Sequence, residues 1–321
     1  MKIITFKDIA DLNVQPLMCF DWAEAMIRSK KEALLPPKIS LKPYDGVFCN
    51  VMPSIIPGSD NTKWGGVKVV TRYPNRVPSL ESRILLMNAD SGEFVALMDG
   101  TWITTMRTGA VAAHSIMLLG KKDFATIGMM GLGNVSRSTL LILADKLRDR
   151  DFYVKLLRYK GQEEDFAERF ASYKNLHFSF VDTAKEMVKG SDVVISGATY
   201  LPNDVCPDEY FDKGVLVQPI HTLGFTNCDL FFDKVFADDL GHVRHFKNFD
   251  KFKQFAEVCD VVNGNKPGRE NDDERILAYN IGVSVHDIYF AVAIYHMMQE
   301  RGILDSLNEI DMNDPTEKFW V

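Results

Sequence analysis

Hydrophobic and polar residues alternate in short runs over the first third of the chain, a pattern typical of half-buried strands. Pro and Gly separate these runs, which are 46–53, 64–71, 82–89 and 94–98, with a hairpin-type turn at 90–93. Helices are predicted on either side of them, at about 21–35 and at 101–119. The pattern therefore predicts a β-rich α+β module over residues 1 to about 120.

From residue 123 to about 265 the periodicity changes to strands that alternate with helices. Strands are predicted at 125–130, 152–157, 177–181, 192–197, 215–219 and 234–237, and helices at 135–147, 162–173 and 184–189. Such alternation predicts an α/β, Rossmann-type doubly wound parallel sheet. Phenylalanines recur every three residues over 246–255, which predicts the buried face of a helix, and 288–302 predicts an apolar-faced helix that returns to the first module.

The first predicted strand of the second module ends in the glycine-rich string 131–136. Its spacing fits the dinucleotide fingerprint, with serine where glycine or alanine is usual. Gly131 permits the tight turn, Gly133 lets a pyrophosphate approach the backbone, and Ser136 lets the next helix pack closely. The free amides at the start of that helix, at Asn134 and Val135, attract phosphate. These five residues are therefore predicted to bind a dinucleotide.

The next strand ends on Arg158, where NAD-binding proteins commonly carry an acid that accepts from the ribose 2′-hydroxyl. Arg158 and Lys160 instead attract a 2′-phosphate, so the sequence favours NADP over NAD. An alternative is that both residues are ordinary solvated charges at a strand end.

Composition narrows the classes of protein that fit. The chain has 321 residues, 46% of them hydrophobic and 25% charged, which suffices for a full core in two domains. A net charge of -7 argues against a nucleic-acid binder. Five scattered cysteines indicate neither a disulfide framework nor a thiolate metal site, and the chain shows no signal peptide or membrane-length apolar run. We therefore expect a cytoplasmic protein without membrane or nucleic-acid partners.

Two basic residues interrupt otherwise apolar elements: Lys68 in the strand 67–70 and Arg107 in the helix 101–119. Charged side chains in such settings are usually paired or face a pocket. The planar guanidinium of Arg107 suits a bidentate grip on a substrate carboxylate. Lys68, partly desolvated beside another cation, is a candidate for proton exchange with a substrate amine or carbonyl. The alternative is that both side chains extend to solvent.

The segment 238–245 mixes carboxylates and imidazoles, namely Asp238, Asp239, His242 and His245. These ligand types suit zinc or iron. The segment follows a predicted strand, however, so a solvated loop or a helix start capped by the acids is the favoured interpretation. No metal is predicted.

Several spaced strings make the chain similar to the ornithine cyclodeaminase/mu-crystallin family. They are 52–53, 66–70, 89–93, 96–100, 107–113, the fingerprint at 131–136, and 281–287. The resemblance implies a homodimer in which a substrate-binding and dimerisation domain, 1–120, is joined by the C-terminal helix, about 290–321. It also implies an NAD(P)-binding Rossmann domain over 121–289, with the nicotinamide facing a pocket between the domains.

The resemblance further implies an NAD(P)H-dependent oxidoreductase acting on the C–N bond of a small amino acid, keto acid or imine. Lys68 and Arg107 match the family's substrate-contacting lysine and arginine. Lys38 falls where the family commonly has a carboxylate-binding arginine, so the contact is kept as a point charge. Cofactor contacts are also expected at Thr108, Thr199 and Gly282.

One departure from the family bears on the reaction. Members commonly carry an aspartate for acid/base chemistry after the strand 215–219, and an ungapped count places Leu223 there. Leucine transfers no proton, which argues against ornithine cyclodeamination. A small shift brings His221 or Thr222 to the nicotinamide, and His221 is the predicted second catalytic residue. A loop role for His221, an NAD-dependent cyclodeaminase and a non-catalytic NADP-dependent ligand-binding protein remain alternatives.

Overall fold

The structure, a computed structural model, describes residues 1–58, 62–198, 201, 205–221, 231–246, 248–312 and 317–318. Two β-sheets organise these residues. One is mixed and is built from the first hundred residues; the other is parallel and is built from residues 126–279. Within the described part of the chain, every helix is too short or too polar to cross a bilayer.

The first sheet has the strand order β1-β6-β5-β4-β3-β2. Its strands are β1 (Lys2–Ile4), β2 (Ile39–Leu41), β3 (Phe48–Pro57), β4 (Lys63–Arg72), β5 (Leu80–Asn88) and β6 (Phe94–Asp99). Only β1 pairs in parallel, with β6, and the other neighbours are antiparallel. The four alternating runs are confirmed as β3 to β6. The three-residue strands β1 and β2 are too short to show a period, and the sequence did not predict them.

The second sheet has eight parallel strands in the order β13-β12-β14-β11-β10-β7-β8-β9. They are β7 (Thr126–Met130), β8 (Phe152–Leu157), β9 (Leu176–Val181), β10 (Val193–Ser196), β11 (Leu216–Pro219), β12 (Lys234–Ala237), β13 (Phe255–Glu257) and β14 (Ile276–Tyr279). The chain winds outward from β7 through β8 and β9, and then in the opposite direction from β10. The doubly wound prediction is confirmed, and the β7/β10 boundary is the switch point at which such sheets bind ligands.

Nine α-helices occur among the described residues. They are α1 (Phe6–Asp11), α2 (Pro16–Ser29), α3 (Thr101–Leu119), α4 (Asn134–Lys146), α5 (Gln162–Glu168), α6 (Ala184–Val188), α7 (Leu240–Val243), α8 (Val258–Val262) and α9 (Ser284–Glu300). The bounds of α3 are those the sequence predicts. Helix α5 is shorter than predicted, because the chain turns after Glu168 instead of continuing to residue 173.

The prediction of a helix over 246–255 is wrong. The described part of this segment contains a 3-10 turn, Phe249–Lys251, followed by strand β13. The aromatic rings pack edge to face on one another: the Phe249 centroid lies 5.6 Å from that of Phe252 and 5.0 Å from that of Phe255. Because these half-buried rings pack against one another, residues spaced three apart can be buried here without forming a helix.

Two helix contacts join the sheets. Helix α3 packs closely on α4, where a Cβ on Gly109 would overlap the side chain of Ser138. Helix α9, which follows the second sheet, returns to the first: a Cβ on Gly66 of β4 would lie 2.7 Å from Ile288 Cδ1, and Ser284 Oγ donates to the Pro53 carbonyl at 2.9 Å. The predicted return of the C-terminal helix is confirmed. Side chains of β4, α3 and α9 consequently meet at the seam.

Candidate active site

The glycine-rich turn lies at the switch point between β7 and β10. Gly131 has a φ of +71°, which glycine adopts without strain, and a Cβ there would overlap the backbone of Ala198. Ser136 Oγ donates to the Gly131 carbonyl at 2.7 Å, and its side chain is buried. The turn is therefore fixed by residues on both sides of the switch point.

The space in front of the turn suits a bound dinucleotide. Gly133 caps the N-terminus of α4, and no heavy atom lies within 4 Å of the position that its Cβ would occupy. Asn134 is exposed beside it. A glycine kept open at the start of a thirteen-residue helix is the cradle that a pyrophosphate requires. The residues present thus fit the expected cofactor.

Thr108 and Thr199 are also predicted to contact the cofactor. Thr108 is buried on α3, next to the α3–α4 contact at Gly109, and its hydroxyl donates to the Thr104 carbonyl at 2.6 Å. Thr199 lies outside the described residues. Their contacts with the cofactor stay predictions.

Arg158 and its neighbours form an exposed charge cluster at the end of β8. We define this cluster as Arg158 with Glu163, Glu164 and Asp182. The Arg158 guanidinium lies 3.2 Å from Glu163, 3.0 Å from Glu164 and 3.4 Å from Asp182, and its side chain is 44% exposed. Lys160, with a φ of +55°, stacks its ammonium 5.0 Å from the Tyr159 ring centroid. The predicted 2′-phosphate contacts already have carboxylate and aromatic partners.

Lys68, Arg107 and Asp287 form a second cluster, here called the buried cation cluster. Lys68 comes from β4, Arg107 from α3 and Asp287 from α9. Lys68 Nζ lies 2.7 Å from Asp287 Oδ2, and Arg107 Nε donates to Asp287 Oδ1 at 2.8 Å. The side chains are 1%, 4% and 0% exposed, respectively. The two basic residues predicted from sequence are thus brought together by Asp287, the last residue of the family-like string 281–287, for which a structural role at a domain junction was the favoured prediction and approach to the substrate the alternative.

Burial changes the proton affinity of Lys68. Desolvation, followed by the charge of Arg107, lowers the pKa of Lys68 from its ordinary value to about 7, against the opposing pull of Asp287. A lysine in this state exchanges a proton near neutral pH, as acid/base catalysis requires.

Lys38 and Gly282 lie beside this cluster. Lys38 Nζ donates to the Ile281 carbonyl at 3.4 Å, and burial together with Arg107 lowers the pKa of Lys38 to about 8. Gly282 has a φ of +75°, and a Cβ there would lie 2.5 Å from Arg107 Nη1. The three predicted substrate-binding cations therefore converge. Gly282 contacts the arginine, while its predicted contact with the cofactor is untested.

A buried polar network holds the chain that leads to Gly282. Asn280 Nδ2 donates to Asp238 Oδ1 at 2.5 Å, and the Gly282 amide donates to Asp238 Oδ2 at 2.9 Å. Gln218 of β11 donates to the Asn280 side-chain oxygen. Burial raises the pKa of Asp238. Gln218 and Asn280 were not predicted from the sequence, although each is a polar residue at the end of a short apolar run.

His221 lies just after β11, where its Nε2 is 3.0 Å from Ser196 Oγ. Desolvation lowers the pKa of His221 to about 4, so the imidazole is neutral at pH 7 and is a weak proton donor. Thr222 and Leu223, the other residues considered for this position, lie outside the described residues. A catalytic role for His221 stays a prediction.

One of the two acids of 238–245, Asp239, caps a helix as predicted, whereas Asp238 does not. Asp239 precedes α7, and its Oδ2 accepts from the His242 amide at 3.1 Å and is 2.7 Å from His242 Nδ1. Asp238 belongs to the polar network described above, and His245 is exposed. The four side chains therefore lie in three different structural environments.

Comparison with known proteins places this geometry in a family. The ornithine cyclodeaminase/mu-crystallin family profile matches residues 3–302. Nodulation efficiency protein NfeD of Rhizobium meliloti is 24% identical over 94% of this chain and 97% of its own. N-((2S)-2-amino-2-carboxyethyl)-L-glutamate dehydrogenase of Staphylococcus aureus is 26% identical over 85% and 87%. A Delta(1)-pyrroline-2-carboxylate reductase of Bacillus cereus is 26% identical over 79% and 82%.

Solved structures share the whole fold. Delta(1)-pyrroline-2-carboxylate reductase of Thermococcus litoralis, in complex with NADH and L-proline, superposes with a TM-score of 0.81 at 23% identity, over 94% of this chain and 98% of that one. An archaeal alanine dehydrogenase dimer with bound NAD gives 0.80 at 20% identity, over 97% and 99%. The architecture therefore holds across the full length of these chains.

Proposed function

Because the chain belongs to the ornithine cyclodeaminase/mu-crystallin family, we propose that it is an NAD(P)H-dependent oxidoreductase acting on the C–N bond of a small amino acid or imine. The observation that carries the proposal is the buried cation cluster, placed at the seam between a sheet with a dinucleotide turn and a second sheet. The match extends over 87% of the N-((2S)-2-amino-2-carboxyethyl)-L-glutamate dehydrogenase and 82% of the Delta(1)-pyrroline-2-carboxylate reductase.

Charge balance supports a substrate with a carboxylate. The buried cation cluster holds two basic groups against the single carboxylate of Asp287, and Lys38 adds a third basic group nearby. Buried charge is costly unless it is paired, so this site favours an incoming anion. Arg107 contacts Asp287 through Nε, which leaves its two terminal nitrogens to orient that anion.

Lys68 is the proposed acid/base group. With a pKa of about 7, it supplies a proton to the substrate nitrogen during imine reduction and accepts one during amine oxidation. When bound, the nicotinamide cofactor supplies or accepts the hydride. Gly131, Gly133 and the first amides of α4 would hold its pyrophosphate.

We also propose that the cofactor is NADP(H), on the strength of Arg158 and Lys160 at the ribose end of the site. The three carboxylates around Arg158 compete with a 2′-phosphate for the guanidinium. We therefore expect a modest preference over NAD(H).

A two-domain homodimer is the proposed organisation. Residues 1–120 with the C-terminal helix form the substrate and dimerisation domain, and 121–289 form the cofactor domain. The two separate sheets support this division. Light scattering measures the oligomeric state directly, and a monomeric mass at assay concentration contradicts the dimer.

The test is a turnover assay with NADPH and NADH. The panel contains cyclic imino acids such as 1-pyrroline-2-carboxylate, and keto acids paired with ammonia or amines. Net loss of reduced-nicotinamide absorbance supports the proposal. Ammonia release from a diamino acid without net cofactor change supports a cyclodeaminase instead. Ligand binding without any turnover supports a carrier protein.

A further inference from the structure

His242 makes a contact that capping of α7 does not require. Its Nε2 accepts a hydrogen bond from the backbone amide of Lys38 at 3.2 Å, and its side chain is 3% exposed. Lys38 and His242 are 204 residues apart, one next to β2 of the first sheet and the other on α7, which follows β12 of the second sheet. The contact therefore fixes the backbone of a proposed substrate-binding residue across the seam.

The hydrogen-bond partners fix the imidazole tautomer. A backbone amide can only donate, so Nε2 must be the unprotonated nitrogen. Nδ1 then carries the proton and donates to Asp239 Oδ2 at 2.7 Å. Asp239 is held in turn, because its Oδ1 lies 2.6 Å from the buried Lys30 ammonium. The ring is thus oriented from behind, as ligand histidines often are.

The segment that His242 holds is short and stiff. Two prolines, Pro36 and Pro37, precede Lys38, and proline restricts the backbone of its own residue and of the residue before it. Pro37 packs over the start of α7, where a Cβ on Gly241 would lie 3.8 Å from Pro37 Cγ. One hydrogen bond at the end of such a segment determines where the Lys38 side chain begins.

We propose that His242 is a positioning residue for substrate binding: it holds the Lys38 backbone so that the Lys38 ammonium reaches the substrate carboxylate beside Arg107. This inference rests on the proposed function. A lysine lacks the planar fork of an arginine and orients a carboxylate only as a point charge. A fixed backbone compensates for that loss, and His242 provides it.

Two substitutions separate this role from a merely structural one. In His242→Asn the side-chain amide nitrogen of the new Asn lies near the former position of Nδ1 and keeps the contact with Asp239. No atom remains, however, to accept the hydrogen bond from the Lys38 backbone amide. In His242→Gln an oxygen can reach the position of Nε2 and keep that acceptor. We expect His242→Asn to raise KM for the carboxylate substrate on the order of tenfold with kcat little changed, and His242→Gln to stay nearer to wild type.

Lys38→Ala provides the coupling test. Once the ammonium is gone, His242→Asn should raise KM no further, because its effect acts through Lys38. The matched control is His177→Asn, which alters an exposed histidine that also pairs with an aspartate, Asp151. This control should leave both kinetic constants unchanged.

The inference is overturned if His242→Asn keeps the wild-type KM, if Asn and Gln are equally impaired, or if the effects of His242→Asn and Lys38→Ala simply add. Should wild type turn over no substrate in the panel, the proposed function fails. The inference is then tested by calorimetric titration with pyrrole-2-carboxylate, an unreactive planar carboxylate, on the same variants. Equal affinities across wild type, His242→Asn and His242→Gln, or no binding to wild type, would also overturn it.

Discussion

The buried cation cluster and the exposed charge cluster contain the same kinds of group in opposite proportions. In the first, two basic side chains share one carboxylate and all three are nearly inaccessible. In the second, one arginine that is 44% exposed faces three carboxylates. In the buried cluster basic groups therefore outnumber the one carboxylate in a place where water cannot compensate them, whereas in the exposed cluster three carboxylates outnumber one partly solvated arginine.

Burial decides which cluster does chemistry. Desolvation is the largest cause of the lowered pKa of Lys68, and Coulomb interactions are stronger away from water. Around Arg158, solvent and salt screen the pairs with the exposed carboxylates of Glu164 and Asp182, and exposed ion pairs contribute little to binding or stability. We accordingly expect substitutions at the buried cluster to change turnover strongly, and substitutions at the exposed cluster to change cofactor preference weakly.

The largest effect is expected for Lys68→Ala. Loss of the acid/base group should lower kcat by about 10²- to 10⁴-fold, while the dissociation constant for NADPH stays within about twofold of wild type. Steady-state kinetics and cofactor fluorescence titration measure the two quantities. Lys213→Ala, which removes an exposed lysine paired with Asp273, is the control. A Lys68→Ala enzyme with an undiminished rate refutes the assigned role.

A glycine pair isolates the position of Arg107. Gly282→Ala places a Cβ against Arg107 Nη1, and we expect KM for the carboxylate substrate to rise about tenfold or more as the guanidinium is displaced. Gly264→Ala introduces similar backbone strain, since Gly264 has a φ of +73°, but meets no atom within 4 Å. Thermal unfolding of both variants gives the cost of strain alone. Equal KM values in the two variants would show that Gly282 does not position Arg107.

Asp287→Asn should move the pH profile. Removing the negative charge makes the Lys68 ammonium less stable, so the pKa of Lys68 falls below about 7. Reduction needs the protonated lysine, so the alkaline limb of kcat/KM moves to lower pH. Oxidation needs the neutral lysine, so its acidic limb moves to lower pH as well, by about one pH unit or more. Profiles that keep their wild-type limbs would contradict coupling between Asp287 and Lys68.

The contrast between the clusters also explains what the sequence could predict. Gly131, Gly133 and Ser136 lie within six residues, and the strand and helix around them have clear periods, so local chemistry defines the turn. The ends of β8 and α3 could also be predicted from the hydrophobic pattern. Lys68 and Arg107 were identifiable because a charge within an apolar element is unusual.

A structural role for Asp287 was predicted from the family-like string, but its pairing with Lys68 and Arg107 could not be, because the Arg107–Asp287 contact spans 180 residues of chain. Strand β14 was missed as well, since its four apolar residues show no period, yet it lies between β11 and β12 and leads directly to Asn280 and Gly282. Long-range assembly of single side chains leaves no spacing in the sequence. Only the resemblance to a family indicated that these segments belong to one site.

The smallest effect is expected for Arg158→Asp. An aspartate at the end of β8 can accept from a ribose 2′-hydroxyl and repels a 2′-phosphate, so the ratio of kcat/KM for NADPH to that for NADH should fall. Because Arg158 is exposed and already paired, we expect a change of only about fivefold, which shrinks further as salt rises above physiological strength. Steady-state kinetics with both cofactors at two salt concentrations measure this change in the ratio. The control is Lys253→Asp, which reverses the charge at another exposed, paired basic residue. A change of a hundredfold or more, independent of salt, would show that Arg158 is withdrawn from water and from its carboxylates when the cofactor binds, and would remove the distinction between the two clusters.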